Sequence, residues 1–475
     1  MASSRRRHCR FASIPAWSAL LAALSGAGCK VGPDYERPEA AVNPAWLDDA
    51  RGSAEEGAAA PLWWESFKDP TLDALIQAAR CSNLTLRVAG LRVIEARAQR
   101  GIAVGEFFPQ LQQAFGTLSA NRVGANDAFP ASDRNYASAS VGIEAAWELD
   151  FWGRFRRATE AARANLLASE WGRRAVATSL VSQVASAYFE LRAFDRQLAV
   201  ATRTLAARRE SLRLTEVAAS GGATSLVDVR QAEQLVYNAA ATISDLERQI
   251  ALQENFISVL LGRNPSDVPR GVSLDQQVHL PDVPVGLPST LLERRPDIQQ
   301  AEQLLVAANA NIGVAKAAYF PQISLTGAGG VQSTALSALF ATPAGLWSIG
   351  AGLTQSVFNA GRTRSVVALS KAQQEEALLA YQQTIQQSLR EVSDALVSYR
   401  KGREFREQQL LLNRAASDAR RLADIRYRGG ATSYLEVLDS ETRMFAAELG
   451  VTQAELSELL SLVQVYRALG GGWQQ

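Results

Sequence analysis

Cysteine, histidine and lysine are scarce in this 475-residue chain, and each scarcity excludes something. The three cysteines are Cys9, Cys29 and Cys81. Cys9 falls in an N-terminal leader, and a lipid on Cys29 would leave Cys81 without an intrachain partner. No disulfide is then expected, despite export. The histidines are His8 and His279 alone. There is no HExxH, no GxSxG and no phosphate-binding loop, so the chain offers no catalytic constellation. We expect no enzyme activity, no cofactor and no metal. Lysine occurs only at 30, 68, 316, 371 and 401, leaving arginine as the main cation. With 49 basic against 48 acidic residues, the net charge of +1 argues against a nucleic-acid surface. No apolar run of 18 or more residues occurs beyond the N-terminus, which argues against a bundle of transmembrane helices.

The first 28 residues are present for another reason. Arg5, Arg6, Arg7 and Arg10 precede a mostly apolar stretch from Phe11 to Leu24, and small residues lead to Cys29. This is a secretory signal. Cleavage after Ala27 by an ordinary peptidase and cleavage before Cys29 by a lipoprotein peptidase both fit. Lipidation of Cys29 is the reading carried forward. Residues 29–70, rich in Pro, Gly, Ala and acids without apolar period, read as an extended, lipid-anchored segment.

The rest of the chain is written twice. "GGATSLVDV" at 221–229 returns as "GGATSYLEV" at 429–437. "FFPQL" at 107–111 returns as "YFPQI" at 319–323, and "WGR" at 152–154 as "AGR" at 360–362. A long-period duplication follows. Repeat 1 covers 71–262, repeat 2 covers 289–475, and a Pro- and Gly-rich linker at 263–288 joins them. Each repeat opens with a helix, Leu72 to Val104 or Ser289 to Ala318, that stops at a Phe-Pro step. A β-hairpin follows, 109–150 or 320–358. Its strands alternate apolar and polar residues over about ten positions, a length that suits a tilted membrane strand. "GAGG" at 327–330 lies in such a strand, where close packing explains it better than phosphate binding. Then come two long antiparallel helices. In repeat 1 the outgoing helix carries Leu180, Val184, Ala187, Leu191, Phe194, Leu198, Ala201 and Leu205 at heptad spacing. The duplicated nonapeptide is the turn between them, with tips at 221–225 and 429–433. Gly221-Gly222 and Gly429-Gly430 supply left-handed C-caps, and Thr224-Ser225 and Thr432-Ser433 supply N-caps.

Four strands cannot close a membrane barrel, and open strand edges cannot sit in lipid. If the hairpins span a membrane the chain must oligomerise. Three copies would give twelve strands, continued by twelve long helices. The expected fold is therefore a mixed α and β membrane protein, a trimeric 12-stranded β-barrel continued by an α-helical coiled-coil barrel.

At this point a resemblance carries further. "CKVGPDYERP" (29–38), "WWESFKDPTLDALIQAARCSNLTLRVAGLRVIEARA" (63–98), "YFPQISLTG" (319–327), "RYRGGATSYLEVLDSE" (426–441) and "YRALGGGW" (466–473) resemble the TolC-like outer membrane factors, in their lipoprotein branch. The match runs nearly end to end. One departure is Gly26, where the family's lipobox usually has Leu. The resemblance implies a homotrimer anchored in outer membrane lipid and reaching into the periplasm of a Gram-negative bacterium. It implies two partners, a periplasmic membrane-fusion adaptor and an inner-membrane transporter of the proton-driven RND type. The function implied is passive export of drugs or other small molecules through a tripartite pump. A type I protein-secretion conduit is the alternative within the family, and a non-conducting structural coiled-coil lipoprotein the alternative outside it.

The candidate sites follow from repeat and resemblance together. Gly221, Gly222, Ala223 and Thr224, with Gly429, Gly430, Ala431 and Thr432, would form adaptor-docking tips. Asp228, Glu436 and Asp439 would form carboxylate rings near a periplasmic gate, which favour cations; a solvated helix face is the competing reading. Arg426, Tyr427 and Arg428 would latch the coils. Trp147, Trp152 and Trp347 fit either an interfacial girdle or packing where strands meet helices.

Overall fold

The computed structural model describes residues 30–39, 62–124, 135–277 and 290–471. In chain order these form α1 (Pro70–Ser82), α2 (Leu84–Gly105), β1 (Leu111–Arg122), β2 (Asn135–Leu149), α3 (Arg154–Ser220), α4 (Leu226–Leu260), α5 (Leu291–Arg294), α6 (Pro296–Ala317), β3 (Gln322–Ser333), β4 (Gly345–Thr354), α7 (Arg362–Arg428) and α8 (Tyr434–Ala468). Helices α3 and α7 have 67 residues each, about 100 Å of helix at 1.5 Å per residue. Cys29, the signal and His279 lie outside the described residues.

The chain separates into two compact units, one of residues 1–38, 94–167 and 303–379, the other of the remainder. The first holds the strands. Both hairpins join one antiparallel sheet in the order β1-β2-β3-β4, rather than two separate ribbons. The join is β2 with β3, from Ala139↔Ser333 to Leu149↔Ile323. Glycine makes it close-fitting, because a Cβ on Gly330 would stand 2.4 Å from the Val141 carbonyl oxygen. The repeated "GR" after β2 and β4 has the same origin: Gly153 and Gly361 take φ of 78° and 82°. Beneath the sheet, Ala161 and Ala164 of α3 pack on Ala307 and Ala310 of α6.

The second unit holds the large core. Trp63 and Phe67 are fully buried with Leu72, Ile76, Tyr188, Leu191 and Val463, and Trp63 stacks on Tyr466 at 5.1 Å. The end of the segment read as extended is thus a helical turn, Trp63–Phe67, at the centre of a core. Three aromatic residues in five provide enough apolar surface to hold it there. Along the heptad seam of α3, Leu180, Val184, Ala187, Leu191, Ala201 and Leu205 are buried, while Phe194 and Leu198 are half-buried.

Two helices read as continuous are broken. Asn83 ends α1 with ψ of 126° and caps α2, its Oδ1 accepting from Leu86 N at 2.9 Å. Its Nδ2 donates to the Leu260 carbonyl at 2.9 Å. In repeat 2 the break falls at Arg295, driven extended by Pro296.

Candidate functional site

The two turns share one backbone. Gly222 N donates to the Ala219 carbonyl at 3.0 Å and Ala223 N to that of Ala218 at 2.8 Å. Gly430 N and Ala431 N repeat this with Tyr427 and Arg426, at 2.9 and 2.8 Å. This crossed pair is the Schellman C-cap, and it needs one left-handed residue. That residue is the second glycine, Gly222 (φ 75°) and Gly430 (φ 71°). Only one glycine of each pair is demanded. A Cβ on Gly221 would meet nothing nearer than the Val217 carbonyl oxygen at 3.6 Å, an ordinary contact.

The caps on the returning helices differ. Ser225 Oγ accepts from Asp228 N at 3.3 Å, while the Asp228 carboxylate accepts from Ser225 N at 3.0 Å and from the Ser225 hydroxyl at 2.9 Å. The Thr224 hydroxyl donates to the same carboxylate. These bonds, the Thr224 hydroxyl foremost, hold the Asp228 carboxyl below its usual range. In the second turn Ser433 makes no side-chain cap bond. One methylene longer than Asp, Glu436 takes the Thr432 hydroxyl and accepts from Arg426 Nη1 at 2.8 Å. Arg426 therefore ties the end of α7 to the start of α8.

Beside this pair lies a small core of Ala232, Ala423, Tyr434, Val437 and Leu438, against which Tyr427 packs. The Tyr427 and Tyr434 rings are 5.2 Å apart, and the Tyr434 hydroxyl is 2.9 Å from Ser211 Oγ. Burial raises the Tyr427 phenol, with smaller contributions from Tyr434 and Asp228. Asp439 pairs along its own helix with Arg443 at 2.9 Å, and Arg428 with Asp424 at 3.1 Å. The structure thus brings together Arg426, Tyr427 and Glu436. Asp228 is held in its own turn, and Asp439 on its own helix.

Two features escaped the sequence reading. On α8, Glu448 and Glu455 accept from Arg203 and Arg196 of α3, the former at 2.9 Å. Both acids and both arginines are seven residues apart, a spacing that was visible in the sequence. The second is Asp69, fully buried, whose carboxylate caps α1 and accepts from the Tyr188 hydroxyl at 2.7 Å, Val272 N at 3.1 Å and Gln277 Nε2 at 3.1 Å. Burial and the bond to Asp69 push the Tyr188 phenol up. The "DP" at 69–70 signals the cap, but nothing local signals the distant donors.

The sheet has two unlike faces. Ladder pairing places Leu118, Val141, Ile143, Leu325, Trp347 and Ile349 on one. Ile143, Trp347 and Ile349 on that face are 69%, 78% and 82% exposed. The other carries Gln113, Thr117, Ser138, Ser140, Glu144 and Gln332, cross-linked by bonds such as Thr117 to Ser140 at 2.5 Å and Gln332 to Ser138 at 3.1 Å. Strands β1 and β4 each have one unpaired edge. At the sheet's foot Trp147 Nε1 donates to the Phe107 carbonyl at 3.2 Å, and Trp152 Nε1 to that of Pro321 at 2.7 Å while stacking on Phe320. The residues after Cys29 are pinned there too. Val31 N bonds the Trp152 carbonyl at 3.1 Å, Lys30 pairs with Glu160 at 2.8 Å, and buried Arg157 reaches Asp34 at 2.9 Å.

Among the described residues no helix is long and apolar enough to cross a membrane, and no cluster of metal ligands occurs.

Comparison with known proteins places these features in company. Residues 75–263 and 287–471 match the family model described as outer membrane efflux protein. The chain is 39% identical over 455 residues to the toluene efflux pump outer membrane protein TtgC of Pseudomonas putida, covering 94% of this chain and 93% of that one. It is 34% identical to the cation efflux system protein CusC of Escherichia coli, over 95% and 98% of the two chains. The solved open state of the Neisseria gonorrhoeae MtrE outer membrane channel is similar at a TM-score of 0.85 and 32% identity, over 94% of this chain and 99% of that one.

Proposed function

The chain belongs to the outer membrane efflux protein family, and from that premise we propose that it is the outer membrane channel of a tripartite efflux pump. The observation that carries this reading is the sheet. One face is apolar and exposed, the other polar, and both edges are open. Lipid accepts the first face, water the second, and neither accepts an open edge. Pairing β4 of one copy with β1 of the next removes every edge, and three copies give a 12-stranded barrel with a wet lumen. The helices then line the periplasmic part of the same passage. The channel moves drugs or other small molecules passively and performs no covalent chemistry. An adaptor docks at the turns, two per chain and six per trimer, and an RND-type transporter supplies the cargo. Open surroundings at Gly222 and Gly430, where no atom lies within 4 Å of an added Cβ, suit close approach of another backbone.

Lipidation of Cys29 is part of this reading. The pinning of Lys30, Val31 and Asp34 supports it, because it keeps the start of the mature chain beside the foot of the sheet, where an acyl chain meets lipid. Arg426 and Glu436, with Tyr427, act as a latch near the closed end.

The decisive experiment is conductance of the purified protein in planar bilayers together with its mass by light scattering. A trimer that opens discrete pores is expected; a stable monomer, or a trimer that never conducts, rejects the reading. Mass spectrometry of the mature N-terminus should show a diacylated Cys29, and an unmodified start at Gly28 would reject the anchor alone.

A further inference from the structure

We propose that Glu144 sets the ion preference of the pore at the level of the sheet and makes this outer passage cation-selective. The inference rests on the channel reading and adds a specificity-determining residue to it.

Strand alternation places Glu144 on the polar face, the face left for water once the apolar one meets lipid. Its cross-strand partner is Gln113, whose Nε2 donates to Glu144 Oε1. The amide is neutral, so it orients the carboxylate without cancelling its charge. The other acids nearby are cancelled. Glu148 pairs with Arg154 at 3.0 Å and Asp150 with Arg156 at 3.1 Å. No Lys, Arg or His lies on this face in any of the four described strands. At the turns Glu436 pairs with Arg426 and Asp439 with Arg443, while Asp228, capped by neutral hydroxyl and amide donors, keeps its charge outside the sheet. On this face of the described strands the uncompensated charge is thus one carboxylate per chain, three in a trimer; Arg122, the cation of the described strands, lies on the other face. The ladder sets all three at one height of the barrel. A ring of carboxylates in a water passage walled by low dielectric attracts cations and repels anions. Elsewhere on this face of the described strands the one other charge, Glu148, is paired with Arg154, and the remaining groups are neutral. The field is screened over about 10 Å at 0.1 M salt and about 3 Å at 1 M, so the preference should be strongest in dilute salt.

The test is the reversal potential of single pores in planar bilayers under a potassium chloride gradient, for wild type, Glu144→Gln and Glu144→Lys. Each is first checked as a trimer by light scattering. Wild type should reverse on the potassium side of zero. Glu144→Gln, nearly isosteric, should move toward zero, and Glu144→Lys should cross to the chloride side. Both shifts should shrink when the experiment is repeated near 1 M salt. Pores of Glu144→Lys, or of Glu144→Gln if the lysine variant does not assemble, that keep the wild-type reversal potential would overturn the proposal and move selectivity to the helical part. Absence of pores in wild type would instead reject the channel reading, so the two failures are distinguishable.

Discussion

The turns at 221–225 and 429–433 are built on one backbone and wired with different charges. Both close with the same crossed hydrogen bonds and the same left-handed second glycine. Past the glycine they part. Asp228 folds back onto its own turn as a capping box, while Glu436 reaches across to Arg426 on the other helix. Glu in place of Asp, together with Arg426 where the first repeat has Ala218, turns a local cap into a link between helices. The duplication has kept what chain reversal requires and let one copy take on an ion pair between its helices. If the turns dock one partner, they present it with the same shape but not the same electrostatics.

The largest effect should come from disturbing what the turns share. Ala223→Trp with Ala431→Trp spares both C-caps but fills the space beside them. The trimer should assemble and conduct, whereas drug resistance in cells should fall toward that of a strain lacking the protein, with loss of adaptor cross-linking. Full resistance would mean that the shared shape serves folding alone. Separating the charges comes next. Arg426→Ala should raise the fraction of open pores in bilayers, by up to about fivefold for each latch released, since an exposed pair contributes at most about 1 kcal/mol. Asp228→Ala should leave the open fraction unchanged and weaken only its own helix start, by about 1 kcal/mol. Equal effects on gating would erase the distinction drawn here.

Smaller again is the contrast within each glycine pair. Gly222→Ala should destabilise the turn by about 1 kcal/mol because of its positive φ, whereas Gly221→Ala, without positive φ and with room for a Cβ, should be neutral or slightly stabilising. Denaturant melting of the two variants checks the order. The smallest effect is on pH. The folded Asp228 carboxyl titrates below its unfolded value, so its contribution is present above the ordinary aspartate range. It is lost as pH falls through the lowered folded pKa. Amide protection at Ser225 and Asp228, relative to the intrinsic exchange rate at each pH, should fall in acid while the second turn, whose cap is not of this kind, responds less.

Much of the architecture was legible because the punctuation is strong. Phe-Pro steps stop helices, Gly-Gly turns reverse them, and period-two alternation marks strands in stretches that proline leaves intact. The breaks at Asn83 and Arg295 were written just as locally, by an Asx cap and a pre-proline residue, but were hidden inside longer apolar patterns. The sharing of one sheet by both hairpins followed from the barrel argument, but the register of the β2–β3 join was not legible, because it depends on glycines some 190 positions apart in sequence, Gly142 and Gly330. At the candidate site, residue types and places could be read from the repeat. Their partners could not: whether a carboxylate caps, latches or stands alone turns on a single methylene and on which arginine lies within about 3 Å.

The paired stripe between α3 and α8 restricts how these helices can move past each other. Arg196 with Glu455 and Arg203 with Glu448 form two teeth, seven residues apart on both helices. Seven residues are about 10.5 Å of rise, so an axial slide strips both teeth together, and one can mesh again only after that whole distance. A tilt or roll about the seam asks far less of either tooth. The stripe acts as a shallow rack that favours one axial register over a slide, with about 1 kcal/mol at most from its exposed tooth. A passage lined by such helices would widen as an iris does, by turning its blades and not by drawing them out.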